Sequence, residues 1–261
     1  MTTPRDSELS ATPDDGPRES PRSERFDRKD APAPDDVETP AERAKRHEAT
    51  WEIVVVVLAF VVPYALYPLV GEPAPRDTKS MLWGIVADAG TVGVLLYLLA
   101  RSGVEWQRFG FAPMRAGEDL LCGACLFAFF WYVPPLVAAS LGFATPGTPE
   151  SIWRPDGIGL WTLTGASIVL GAFLEELLFR AHLLQRFEQA GCSVAQAVFL
   201  SALLFGAVHT YQGATGVCTS IVFGLGAGLV VAVTQRLWPA VAAHAAFNVL
   251  VYARYGVDAI Q

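Results

Sequence analysis

The chain has 261 residues, 52% of them hydrophobic, a formal net charge of −7 and a mean hydropathy of +0.35. That is too apolar for an average soluble domain, and no basic patch is interleaved with aromatics, so nucleic acid is not an expected partner. The isoelectric point near 5.1 says little about partners, because residues 1–50 carry more than half of the net charge.

Residues 1–50 hold 9 Lys/Arg and 13 Asp/Glu, many Pro and Ser, and one aromatic, Phe26. Such a segment cannot bury enough surface to offset its ordering entropy, so a disordered tail is expected there, dispensable for folding and catalysis. The first apolar run begins only at Trp51, so no cleavable signal peptide is expected.

Seven apolar runs of about the length that crosses a bilayer follow, at about 51–70, 81–100, 119–141, 158–182, 193–210, 216–235 and 238–254. Polar or Gly/Pro-marked breaks separate them, such as Gly71-Glu72-Pro73, Arg101-Ser102-Gly103 and Pro146-Gly147-Thr148-Pro149. The runs do not alternate with the period of two that barrel strands show, and they lack the polar faces of soluble helices. The expected fold is an all-α polytopic transmembrane bundle of about seven spans. N-terminal helices would occupy 51–157 and a core with the chemistry-bearing motifs 158–254. Gly224, Gly226 and Gly228 are expected to let helices pack closely.

Basic residues in short loops set orientation. Arg43, Lys45 and Arg46 precede the first run, the second loop holds Arg101, Arg108 and Arg115, and the fourth holds Arg186 with Arg180 near it. The first loop has Arg76 and Lys79, the third Arg154 and the fifth none. The bias places the N-terminus in the cytoplasm, in a protein of the cell membrane. Of the cysteines, Cys122 and Cys125 form a CxxC without a second pair, which reads as small packing residues rather than a zinc site, as do Cys192 and Cys218.

Ionisable groups inside a span cost on the order of 2.5–3.5 kcal/mol each on insertion scales, so they mark functional candidates. The fourth run contains Phe173-Leu174-Glu175-Glu176-Leu177-Leu178-Phe179-Arg180. Glu176 and Arg180 are four apart and share a helix face, so they are expected to pair. Glu175 is rotated about 100° away and points toward other helices. His209 follows Phe205 by four, and His244 precedes Asn248 by four, so one face presents each couple. The turn between the fourth and fifth runs centres near Cys192, with Glu175 17 residues before it and His209 17 after it. In an antiparallel hairpin the two are level, roughly 25 Å from the turn. His244 lies just past the Trp238-Pro239 break and reaches the same level if that break sits at the membrane face. Asp88, in the second run, reads as a hydrogen-bonding partner of a neighbouring helix, and His182 as a group near the interface.

In order, Glu175, Glu176 and Arg180 (EE-x3-R), Phe205 and His209 (F-x3-H), and His244 and Asn248 (H-x3-N) resemble the three motifs of the CPBP family. This is the CAAX-protease and bacteriocin-processing group of intramembrane endopeptidases, also called the Abi family. The resemblance covers about 160–253; the residue after Arg180, often Gly in the family, is Ala181 here. It implies that Glu175 and His209 activate a water and that His244 and Asn248 stabilise the oxyanion, with Glu176, Arg180 and Phe205 in support. Burial can bring a carboxylate into the range of a general base, and His and Asn suit an oxyanion hole in a dry cavity. The family has also been treated as metalloendopeptidases. Glu175, His209 and His244 would then be three zinc ligands with an open position for water, although no HExxH is present. The expected partners are the lipid bilayer and a peptide or membrane-protein substrate. Two other readings use the same helical frame: a non-enzymatic scaffold, chaperone or immunity factor, and a transporter. The retained Glu/His/His/Asn set argues against the first. The lack of repeat symmetry and paired broken helices argues against the second.

Overall fold

Pro40 opens the first helix, α1 (Pro40–Val56), followed by Ala-Glu-Arg-Ala-Lys-Arg-His-Glu-Ala. Proline suits the first helical position, where its missing N–H is no loss, and the residues after it are mostly strong helix formers. The helix therefore starts some ten residues before the expected end of the tail at residue 50, and Ala49 is fully buried. The computed structural model describes residues 38–70, 78–143 and 157–255. Residues 1–37, the Gly71-Glu72-Pro73 and Pro146-Gly147-Thr148-Pro149 breaks, Arg76 and Arg154 lie outside the described residues.

From α1 the chain passes through a π-helical segment (Val57–Val61) into α2 (Val62–Val70). Pro63 accounts for that widening: it cannot donate a hydrogen bond and its ring crowds the carbonyl four residues back. The next helices are α3 (Thr78–Arg101) and α4 (Ala116–Ser140), with a 3-10 turn at Trp106–Phe109 between them. Then α5 (Gly157–Glu176) runs through a second π segment (Leu177–Leu183) into α6 (Leu184–Gln189). A tight turn leads to α7 (Val194–Ala207), which opens on a capping box: Ser193 accepts from the Gln196 N–H and Gln196 accepts from the Ser193 N–H. A 3-10 turn (Thr210–Gln212), α8 (Gly213–Thr234) and α9 (Trp238–Tyr255) complete the described chain.

The protein is an all-α membrane bundle; among the described residues the only β pairing is an isolated bridge between Phe111 and Arg236. Five helical stretches are long and apolar enough to cross a membrane: Pro40–Tyr67, Thr78–Arg101, Ala116–Ser140, Gly157–Gln189 and Thr210–Thr234. All seven expected runs are helical, and five of them correspond to these stretches. At 14 residues, α7 extends about 21 Å, short of a ~30 Å hydrocarbon core. In α9, His244, Asn248 and Arg254 dilute an 18-residue helix. The two helices that fall short are those that bring the second and third motifs.

Those two helices are held from several sides. α7 packs along α8, and α4 lies against both α8 and α9. Gly224 permits the first contact, since a Cβ there would stand 3.0 Å from Ala202 Cα, while Gly226 and Gly228 face Phe129 and Val198. Phe130 stacks on Phe223 with ring centroids 3.5 Å apart, and Phe223 also meets Phe205 at 5.6 Å and Phe247 at 5.8 Å. Asp119 near the start of α4 accepts two hydrogen bonds from Arg236, at 2.5 and 2.6 Å, and fixes the segment that leads into α9. This pairing also holds the Arg236 guanidinium above its ordinary pKa.

Candidate active site

Glu175 and Glu176 end α5, immediately before the second π segment. That segment widens the helix: the Leu184 N–H bonds the Phe179 carbonyl five residues back. The Ser201 hydroxyl donates to the same carbonyl from α7, at 2.6 Å. Single π turns inside α-helices recur at functional sites because they turn the following side chains off the regular α-helical face. Here all seven residues from Leu177 to Leu183 are buried.

The two glutamates part as their spacing predicts. Glu176 is fully buried and accepts a hydrogen bond from Arg180 Nη1 at 2.9 Å. The Arg180 guanidinium also lies 4.3 Å from the centroid of the Phe205 ring, a cation–π contact worth about 2 kcal/mol or more where water is excluded. Glu175 faces the other way and keeps a third of its side chain exposed (34%). Its Oε2 is nonetheless buried and without a hydrogen-bond partner.

His244 of α9 reaches both carboxylates. Its Nδ1 donates to Glu176 Oε1 at 2.8 Å, and its Nε2 stands 3.7 Å from Glu175 Oε2. Glu176 therefore does more than pair with Arg180, a link that its spacing within one helix could not reveal. His209 lies just past the end of α7, not on the helix as its spacing implied. Its Nδ1 donates to the Phe205 carbonyl at 2.7 Å. The Phe205 ring lies between the two histidines, with centroids 4.6 Å from His209 and 6.1 Å from His244. Asn248 is half-buried one turn beyond His244 on the same helix.

Other residues near the site had no motif to flag them. Phe223 meets the His244 ring edge-on at 4.7 Å, but in the sequence it is one apolar residue in an apolar run. Asp88 of α3 and Tyr64 of α2 both interact electrostatically with Glu175. Among the described residues Asp88 shows this interaction with Glu175 and not the expected hydrogen bond to a neighbouring helix. His182 is fully buried in the π segment, where its Nε2 lies 3.7 Å from Glu52 of α1.

Among the described residues no three His, Cys, Asp or Glu side chains are grouped to hold a metal ion. Glu175, His209 and His244 are therefore not gathered as the ligand set that a zinc site needs. The four cysteines are free thiols, and Cys122 and Cys125 show no further ligand.

The family model described as type II CAAX prenyl endopeptidase Rce1-like matches residues 157–250. That stretch contains Glu175, Glu176, Arg180, Phe205, His209, His244 and Asn248. The resemblance to the CAAX-protease group read from the motifs is borne out over it. No curated protein and no solved structure matches the chain.

Proposed function

We propose that this protein is an intramembrane endopeptidase that hydrolyses peptide bonds with a glutamate-activated water. The observation that carries this reading is the asymmetry of the two glutamates. Each has a buried Oε2 without a partner, but Glu176 is sealed in the core with Oε1 held by Arg180 and His244, whereas Glu175 carries its unpartnered oxygen on a side chain still open to a ligand. A buried carboxylate oxygen without a donor is a costly arrangement unless something binds there, and a water is the natural occupant for a general base.

In this mechanism Glu175 takes a proton from the water, and His209 helps to orient it through Nε2, its Nδ1 being held by the Phe205 carbonyl. The water oxygen attacks the scissile carbonyl carbon. His244 and Asn248 face the developing oxyanion. Arg180 and Phe205 hold Glu176, and with it the α5–α9 junction. Because Glu175, His209 and His244 are not grouped as a ligand set, no step is assigned to zinc. The substrate is a peptide or membrane protein presented within the bilayer of the cell membrane, with the basic cluster at Arg43, Lys45 and Arg46 on the cytoplasmic side.

Incubating the purified protein with a library of membrane peptides, with and without a chelator, tests this. Cleavage that survives chelation is expected. Cleavage lost on chelation and restored by zinc would replace the glutamate mechanism with a metal one. No cleavage of any peptide would favour a non-enzymatic role.

A further inference from the structure

The two ring nitrogens of His244 are not equivalent. Nδ1 lies 2.8 Å from Glu176 Oε1, and a carboxylate oxygen only accepts, so Nδ1 carries the hydrogen. Nε2 is left facing Glu175 Oε2 at 3.7 Å. The accepting oxygen is itself fixed, since it also takes Arg180 Nη1 at 2.9 Å, and Arg180 is packed over the Phe205 ring. Phe223 closes on the imidazole edge-on at 4.7 Å. Glu176 is fully buried and His244 nearly so, so neither side chain has room to reverse the arrangement.

A neutral imidazole held this way has a bare Nε2. It can accept a proton but cannot donate to an oxyanion until it has one. We propose that Glu176 is a positioning residue that acts through His244: it keeps the hydrogen on Nδ1, so that Nε2 takes up the proton removed from water and becomes a donor only as negative charge develops. The water O–H bond breaks, its proton passes to Glu175, and its oxygen bonds to the carbonyl carbon. The proton moves on from Glu175 to His244 Nε2, and the resulting N–H faces the oxyanion. It is then delivered to the amide nitrogen as the C–N bond breaks and the carbonyl re-forms. A carboxylic acid and an amine leave, and Glu175 and His244 return to their starting states. The 3.7 Å gap exceeds a hydrogen bond, but the partly exposed Glu175 can close it, as catalytic contacts often do once substrate is bound. The relay rests on the peptidase reading; the placement of the hydrogen does not.

The test is nitrogen NMR of the full-length protein in detergent, labelled with 15N-histidine. The chain has four histidines, and a His244→Asn spectrum identifies the His244 signals. The expected result is a protonated Nδ1 and a bare Nε2. Glu176→Gln should keep that tautomer, because the amide oxygen still accepts, whereas Glu176→Leu should lose it. Turnover of a cleaved library peptide should follow the tautomer: kcat falls by about 10²-fold or more in Glu176→Leu with KM little changed, and less in Glu176→Gln. A wild-type His244 with the hydrogen on Nε2 overturns the proposal, as does an unchanged tautomer in Glu176→Leu. If Glu176→Leu does not fold, the wild-type and Glu176→Gln spectra still decide. If the wild-type protein cuts no peptide, the peptidase reading fails while the spectrum still reports on the positioning role.

Discussion

Glu52 of α1 bonds Arg186 of α6 at 2.8 Å, joining residues 134 apart in the chain. This contact fastens the first helix to the far end of the helix that carries Glu175 and Glu176. Arg186 also donates to Gln189 at 2.6 Å, and both members of the ion pair are mostly buried. Arg186→Met should therefore lower stability by about 2–3 kcal/mol, the usual loss for a buried hydrogen bond to a charged group. Adding Glu52→Leu should recover part of it, because the carboxylate left without a cation is then gone. Thermal melts in detergent measure both. An Arg186→Met protein that melts with the wild type would show that the tie is not structural.

The Glu176–Arg180 pair is more deeply buried still. Removing one partner of such a pair typically costs about 3–5 kcal/mol, because the other charge is left uncompensated. Arg180→Gln should show that loss, and the double variant with Glu176→Gln should be more stable than the single losses added together. Strict additivity in the melts would contradict direct pairing.

Gly110 sits at φ 88°, and a Cβ there would meet Leu237 N and Leu237 Cβ, each at 2.9 Å. Its carbonyl accepts the Leu237 N–H at 2.9 Å, immediately before α9. Gly110→Ala is expected to be strained in backbone and in contact at once. The displaced start of α9 should move His244 and lower both melting temperature and peptide turnover. Gly117→Ala, on a helix position with open space around it, is the control that should leave both unchanged. Equal behaviour of the two variants would contradict this account.

Much of the fold was legible because membrane helices announce themselves through apolar length. All seven expected runs are helical, with ends within a few residues of those read from composition at most boundaries. The misses have local causes. α1 begins at Pro40 because a polar string of good helix formers shows no hydropathy signal. The two π segments are not visible in a regular 3.6-residue count. The Glu176–Arg180 pair was readable from a spacing of four. The His244 bond to Glu176 was not, since 68 residues separate them and only the packing of α5 on α9 brings them together.

The early start of α1 changes what a truncation should do. Deleting residues 1–50 removes the first turns of α1, the buried Ala49 and Arg46, whose guanidinium lies against Gly191 in the turn before α7. A deletion of residues 1–37 spares all of these. The shorter deletion is expected to melt like the full chain and the longer one at a lower temperature. Identical melts would return the boundary to residue 50.

The most direct test of the account is the turnover of one cleaved membrane peptide by wild-type protein and by Glu175→Gln, with melting temperature followed in parallel. Gln keeps the volume of Glu175 and breaks no hydrogen bond at the buried Oε2, but it cannot take a proton from water. The account predicts that cleavage falls to background while the melting temperature stays within a few degrees of wild type. A Glu175→Gln protein that cleaves at the wild-type rate, beside a Glu176→Gln protein that is inactive and normally stable, would contradict it and make Glu176 the base.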